Sequence, residues 1–149
     1  MDPIILAYFG VALTLGLSGA GSIFGVTITA NATVGAMKKN PDSFGNYMIL
    51  SAIPSTQGLY GFLGYFMLAD FLVPGITMFQ ATAVFFACLA LGSLNLLSAI
   101  RQAQVCANGI AAIASGHDVF GKTLIVAAFA ELYCIIGMMA TFLIAGTLG

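Results

Sequence analysis

Four long stretches almost free of charged side chains constrain this chain more than any other feature of its sequence. Asp, Glu, Lys and Arg are absent from residues 3–37, 43–69 and 71–100, and residues 123–148 contain a single acid, Glu131. Each stretch exceeds the roughly 20 apolar residues that span a bilayer. Charged residues make up 6% of the chain, against roughly 25% in soluble domains. The sequence therefore predicts an all-α membrane protein with four transmembrane helices.

Short polar segments mark where the four helices begin and end. Pro3 suits the first turn of a helix, which we expect to reach about Met37, ahead of the polar break at 38–42. A second helix is predicted from about Ser43 to Ala69. A third follows the turn at 70–75 and reaches about Ala114, and a fourth begins beyond the break at 115–118. We predict one membrane domain, 1–149, divided into a first hairpin, 1–72, and a second, 73–149.

The distribution of charge predicts orientation and partners. The four basic residues lie in or toward the two hairpin turns, and Asp2 and Asp70 lie at the opposite ends. The positive-inside bias then predicts a multi-pass protein of the cell membrane with cytoplasmic hairpin turns and both termini outside. The net charge of -1 offers no basic patch, so we expect the lipid bilayer, and no nucleic acid, as a partner.

The two halves of the chain repeat each other with an offset of 76 residues. The repeat predicts two tandem, duplicated hairpins in parallel orientation. At this offset Glu131 falls opposite Ser55, so one hairpin of the pair has kept a carboxylate. The matching residues are Gly16 and Gly92, Ala36 and Ala112, Asp42 and Asp118, Phe44 and Phe120, Gly45 and Gly121, Ile49 and Ile125, Ala52 and Ala128, and Gly61 and Gly137.

Glu131 is the residue around which a functional prediction can be built. A charged side chain at the centre of a span costs about 2.5–3.5 kcal/mol on insertion scales, so an intramembrane acid is usually neutralised by a proton, a cation or a partner, and commonly marks an ion pathway. The structural alternative is a protonated packing residue or an ion pair with Arg101. We predict an ion-binding role for Glu131.

Several polar side chains are expected at the membrane depth of Glu131. Counting from the matching turns places them at the level of the acid; they are Thr56, Gln57, Tyr60 and Gln102. Singly, such groups commonly link helices by hydrogen bonds worth about 0.6–2 kcal/mol. Together with a carboxylate they form an oxygen set that suits a hard cation.

Pro54 adds a backbone oxygen to this prediction. Proline cannot donate to the carbonyl of Leu50, and the resulting kink can turn a nearby carbonyl, such as that of Ile53, toward a ligand.

The chain resembles the K subunit, or proteolipid, of bacterial V-type rotary ATPases. The resemblance lies in the glycine-rich duplicated hairpin, in PSTQGLYGF at 54–62, in Gln102 and in AELYCIIG at 130–137. It implies a homo-oligomeric rotor ring of identical subunits that turns against a stator membrane subunit, is joined to central-stalk subunits and catalyses nothing by itself. In sodium-carrying members the matching positions make Glu131, Thr56, Gln57, Gln102 and the Ile53 carbonyl the Na⁺ ligands, and Tyr60 the residue that locks the site.

Two positions depart from that family, and other functions stay open. Arg101 replaces a small residue, and the apolar Leu132 follows the acid where sodium carriers have a hydroxyl residue. The same rotor could carry H⁺, which needs only Glu131 and one acceptor. A small proton-coupled transporter is disfavoured because such proteins carry the acid in their first helix. A pore-forming proteolipid would not need the polar residues near Glu131.

Overall fold

The computed structural model describes residues 2–148, which are almost wholly helical. These residues form five α-helices: α1 (Pro3–Met37), α2 (Phe44–Ala52), α3 (Thr56–Leu68), α4 (Met78–Ala114) and α5 (Phe120–Leu148). Short 3₁₀ turns lie at Pro41–Ser43, Ile53–Ser55 and Ala69–Phe71. The predicted starts and ends of the first, third and fourth helices agree with α1, α4 and α5.

The second predicted helix is present in two pieces, so the expectation of one continuous helix from Ser43 to Ala69 is wrong in this detail. A 3₁₀ turn at Ile53–Ser55 separates α2 from α3, because Pro54 has no N–H for the usual i to i−4 bond. The first residue of the turn and the residue that follows it keep right-handed helical dihedrals, with φ −52° and ψ −45° at Ile53 and φ −63° and ψ −31° at Thr56. The chain therefore continues in one direction as a locally tightened helix.

The length and composition of the helices are those of a membrane protein. Among residues 2–148, α1, α4 and α5 are each long and apolar enough to cross a bilayer. With 35 and 37 residues, α1 and α4 are roughly 53–56 Å long at about 1.5 Å per residue, which exceeds a hydrocarbon core of about 30 Å. The segmented stretch of α2 and α3 supplies the fourth element of the two tandem hairpins.

Local sequence signals explain the ends of the long helices. The Asp2 carboxylate accepts from the Ile4 N–H at 3.1 Å at the start of α1. Thr77 and Gln80 form a reciprocal capping box at the start of α4. At its other end Gly116 takes a φ of 88°, a left-handed conformation that glycine adopts without a Cβ penalty and that commonly ends helices.

Helices α1 and α4 form the centre of the fold, and glycines bring their backbones together. A Cβ added at Gly21 would lie 2.7 Å from the Leu96 Cα, and one added at Gly92 would lie 2.9 Å from the Thr14 Cα. Close approach of this kind is how small residues stabilise helix pairs in lipid. The second layer consists of α2 and α3 together with α5, which pack on the α1 and α4 pair and meet between α3 and α5.

Candidate ion-binding site

The carboxylate of Glu131 lies between the two hairpins and accepts hydrogen bonds from both. Thr56 Oγ1 and Tyr60 OH, both on α3, donate to Glu131 Oε1 at 2.9 and 2.7 Å. Gln102 Nε2, on α4, donates to Glu131 Oε2 at 3.0 Å. Three helices, α3, α4 and α5, therefore meet at Glu131. The sequence alone predicted only that the acid and these side chains lie at the same membrane depth.

More acceptors than donors surround the hydroxyl of Thr56. Its Oγ1 lies 2.9 Å from Glu131 Oε1, 3.0 Å from the Ile53 carbonyl oxygen and 3.3 Å from Gln57 Oε1. A hydroxyl has one hydrogen to donate, yet three acceptor oxygens lie within 3.3 Å of it. An oxygen-rich group with few protons is the environment that a hard cation prefers.

The 3₁₀ turn at Pro54 explains why a backbone oxygen is available in this group. Proline has no N–H, so the carbonyl of Leu50 loses its usual helical partner, and the tightened turn shifts the carbonyls that follow. The Ile53 carbonyl oxygen accepts a hydrogen bond from the Thr56 hydroxyl in addition to its backbone bond. The Ile53 carbonyl thus lies in the group of oxygens around Thr56 Oγ1, and its predicted role as a ligand stays a prediction.

Two fully buried amides, one on α3 and one on α4, lie beside the acid. Gln57 and Gln102 are each 0% exposed, and Gln57 Nε2 donates to Gln102 Oε1 at 2.8 Å. Gln102 Nε2 also donates to the Ala127 carbonyl at 3.2 Å. These bonds fix the Gln102 side chain, since a buried amide left without partners costs roughly 1–3 kcal/mol.

Sequence reasoning missed Ser98. Its hydroxyl accepts from Gln57 Nε2 at 3.3 Å and donates to the Ala130 carbonyl at 2.8 Å, which ties α3, α4 and α5 together beside Glu131. The available signal was its position four residues before Gln102, which places both side chains on one face of α4.

The two residues that depart from the family pattern lie away from the carboxylate. Arg101 is exposed on the isolated chain, and its Nη1 donates to Gln104 Oε1 at 3.1 Å. The alternative of an ion pair between Arg101 and Glu131 is therefore not the arrangement in the described residues. Leu132 is 49% exposed on the outer side of α5.

Ser55, the repeat counterpart of Glu131, has no comparable surroundings. It is exposed, and its hydroxyl donates to the Ala52 carbonyl of its own helix at 2.6 Å. The two hairpins therefore present different chemistry at matching places in the repeat.

This fold and this site define a class of membrane proteins in which paired helical hairpins hold one carboxylate among polar side chains. The sequence matches the family described as the C subunit of ATP synthase twice, over residues 9–68 and 85–144. The chain belongs to this family. The two matched segments start at residues 9 and 85, about 76 residues apart, which is the offset of the internal repeat.

The similar proteins are subunits of rotary ATPases and ATP synthases. The chain is 35% identical over 144 residues to the A-type ATP synthase subunit K of Methanocaldococcus jannaschii, covering 97% of this chain and 63% of that protein. It is 34% identical to the V-type sodium ATPase subunit K of Enterococcus hirae, covering 94% of this chain and 90% of that protein. It is 23% identical to the c'' subunit of the V-type proton ATPase of Saccharomyces cerevisiae, covering 97% and 72%.

These matches confirm the resemblance to V-type ATPase proteolipids and the fold of tandem membrane hairpins. The relatives have the names of ATPase and ATP synthase components, in keeping with a non-catalytic, ion-translocating role. Bacterial origin, the division at residue 72 and the roles of the individual site residues stay predictions.

Proposed function

We propose that this chain is the ion-carrying rotor subunit of a V-type ATPase or ATP synthase and that Glu131 binds and releases Na⁺ as a ring of identical subunits turns. The observation that carries the proposal is the group of oxygens around Thr56 Oγ1, with Glu131, Gln57 and the Ile53 carbonyl all within 3.3 Å. A proton needs one acceptor, whereas this set offers several oxygens to one centre.

The residues present fit a sodium ion through their chemistry. Glu131 would supply the negative charge, and Thr56, Gln57, Gln102 and the Ile53 carbonyl would supply neutral oxygens. The Gln102 amide now donates its N–H groups to Glu131 and Ala127, so it would rotate to offer Oε1 to the ion. Tyr60 would keep its 2.7 Å bond to the carboxylate and hold the site closed.

The membrane supplies the reason for neutralising the acid. A charged group in the hydrocarbon core is costly, so Glu131 would cross the lipid-facing part of the cycle with its ion bound. At a stator membrane subunit the site would open and exchange the ion. An elementary charge crossing the membrane is worth about 2.3 kcal/mol per 100 mV, so several ions would be needed for each ATP.

The proposed surroundings follow from the same cycle. Identical subunits would form the ring, with a stator membrane subunit beside it and central-stalk subunits joining it to the ATPase. The cell membrane would hold the ring, with both hairpin turns on the cytoplasmic side and the termini outside. Relatives named for a sodium ATPase and a proton ATPase make H⁺ the second candidate ion.

Carbodiimide labelling of Glu131 in membranes holding the assembled complex tests the ion directly. We expect Na⁺ to slow the labelling while K⁺ at the same ionic strength does not, because a bound sodium shields the carboxylate. Glu131→Gln is the control that removes the labelled group. If the labelling rate is unaffected by Na⁺ but falls as pH rises, Glu131 binds a proton and the sodium proposal is wrong.

A further inference from the structure

Two buried polar atoms of the α1 and α4 pair have no hydrogen-bond partner. They are Thr14 Oγ1 on α1 and Asn95 Oδ1 on α4, and no other buried side-chain nitrogen or oxygen of residues 2–148 is left without one. Both residues are 0% exposed. A buried polar atom without a partner costs roughly 1–3 kcal/mol, so a ligand or a local rearrangement must account for each of them.

The two unpaired atoms lie at one level of the helix pair. A Cβ added at Gly92 would lie 2.9 Å from the Thr14 Cα, so Thr14 faces the turn of α4 that precedes Asn95. Helical side chains lean toward the N-terminus of their helix, which carries the Asn95 amide toward that turn. Asn95 Nδ2 donates to Ser18 Oγ at 2.9 Å, and Ser18 lies one turn beyond Thr14 on the same face of α1.

The hydroxyls of Thr14 and Ser18 differ from those of other threonines in the long helices. Thr27 and Thr141 each donate to the carbonyl four residues earlier, at 2.7 and 2.9 Å. In the described part of the chain Thr14 has no such bond, and Ser18 accepts from Asn95 without donating to any acceptor. Two hydroxyl hydrogens and one amide oxygen are therefore unpaired at the same place.

The third side of this place is closed by α3, and one end is closed by apolar side chains. A Cβ added at Gly61 would lie 3.1 Å from the Thr14 carbonyl oxygen. Toward the start of α1 lies an apolar cluster that includes Val11, Leu68 and Cys88. The unpaired atoms are thus enclosed by three helices, and a ligand bound to them would be buried.

Both orientations of the Asn95 amide lead to the same conclusion. If the amide were turned over, the Ser18 hydroxyl would donate to Oδ1, and Nδ2 would lose its acceptor. One end of the amide and the Thr14 hydroxyl then remain unpaired in either case, since each amide has a donor end and an acceptor end. The missing partner must therefore be able to donate and to accept.

We propose that one water molecule is bound at this place and bridges Asn95 Oδ1 to Thr14 Oγ1, with Ser18 Oγ as a third partner. The water donates to the amide oxygen and accepts from the threonine hydroxyl, which pairs both atoms. Buried waters typically make about three hydrogen bonds to polar groups that lack other partners. The bridge links the first hairpin to the second through hydrogen bonds, beside the glycines that bring α1 and α4 together.

The chemistry of this place favours water over a cation. Its oxygens belong to hydroxyls and an amide, which are neutral, and an uncompensated charge inside a membrane is costly. Asn95 lies seven residues before Gln102, or about 10 Å along α4. The carboxylate of Glu131, which Gln102 contacts, therefore cannot balance an ion here, and the water site is separate from the ion site.

A structure at a resolution that shows ordered waters tests the ligand. We expect a density peak about 2.5–3.0 Å from both Asn95 Oδ1 and Thr14 Oγ1. A direct hydrogen bond between these two atoms, with no peak between them, would overturn the proposal. A peak with about six oxygen ligands would also overturn it, because such coordination belongs to a cation.

Thr14→Val tests the bridge through the sign of its effect on stability. If water bridges the helices, the variant removes one of its partners and should lower the midpoint temperature of unfolding of the purified protein in mild detergent by at least about 2 °C. If the hydroxyl is simply unpaired, valine removes a costly group at almost constant shape and should leave the midpoint unchanged or raise it. That result would overturn the proposal.

Thr141→Val is the matched control. It also removes a fully buried threonine hydroxyl, but one that donates to the Gly137 carbonyl of its own helix at 2.9 Å. Such a bond adds little to stability, so we expect the midpoint to change by less than about 1 °C. Equal losses in the two variants would show that any buried hydroxyl has this effect, and would count against the bridge.

Sodium protection of Glu131 from carbodiimide separates this inference from the proposed function. Thr14→Val should leave the Na⁺ concentration needed for protection within about twofold, because the two sites are about 10 Å apart. A larger change would show that Thr14 belongs to the ion site and would overturn the separate water site. Absence of sodium protection in the unmodified protein would overturn the sodium proposal, whereas the density and the unfolding midpoint would still decide the water.

Discussion

The two hairpins share one fold but differ at one chemical position. The second hairpin carries Glu131, which receives hydrogen bonds from Thr56, Tyr60 and Gln102. The first carries Ser55, whose hydroxyl bonds to its own helix. The first hairpin nevertheless contributes Thr56 and Tyr60 to the site, so neither hairpin holds the complete site. After duplication, one hairpin supplies the acid and the other supplies both of its hydroxyl partners.

The largest effect should come from removing or relocating the acid. Glu131→Gln should abolish ion-coupled ATP hydrolysis and transport in reconstituted vesicles while leaving ring assembly intact, because an amide has no negative charge with which to bind a cation. Moving the acid with Glu131→Ser and Ser55→Glu should not restore transport, since the hydroxyls of α3 point toward α5. Recovery in the double variant would show the two hairpins to be interchangeable.

The next effect concerns the buried amides. Gln102→Leu removes the bond to Glu131 Oε2 and one of the two bonds that Gln57 Nε2 donates. A buried polar atom without a partner costs roughly 1–3 kcal/mol, or about 5- to 150-fold in affinity. We expect sodium protection of Glu131 from carbodiimide to require that much more Na⁺. The matched control is Asn108→Leu, which removes an exposed amide from the same helix. If the two variants need the same Na⁺ concentration for protection, Gln102 does not contribute to sodium binding.

A smaller effect is expected for the tyrosine. Tyr60→Phe deletes the 2.7 Å bond to Glu131, and hydrogen bonds to charged groups are worth about 1.5–3 kcal/mol, so sodium should dissociate at least about tenfold faster. Tyr65→Phe, on the same helix, is the control. A rapid-flow sodium assay measures the dissociation rate. Equal rates in Tyr60→Phe and Tyr65→Phe would contradict a locking role for Tyr60.

The smallest effect should come from the arginine. Arg101→Gln removes a positive charge near the membrane level of the site and should raise sodium affinity by about two- to fivefold, because like charges repel at distances of several ångströms. Arg101→Lys keeps the charge and should leave the affinity unchanged. Lower affinity in Arg101→Gln would show instead that Arg101 supports the site by packing.

Much of this fold could be predicted because the bilayer imposes strong rules on sequence. Long uncharged stretches define spanning helices, since backbone polar groups in lipid must be paired within the helix. The turn residues set the ends of α1, α4 and α5 within a few positions. The interruption at Ile53–Ser55 was less predictable, because proline in a membrane helix can kink it, tighten it or leave it nearly straight.

The sequence by itself determined the class of protein, the duplication and the identity of the acid, because hydropathy and an offset of 76 residues are properties of order along the chain. It also placed Thr56, Gln57, Tyr60 and Gln102 at the depth of Glu131. Only the tertiary structure decided which of them bond the carboxylate and that Ser98 joins them. Depth fixes one coordinate, whereas contact depends on how the helices are rotated and how closely glycines let α1 approach α4.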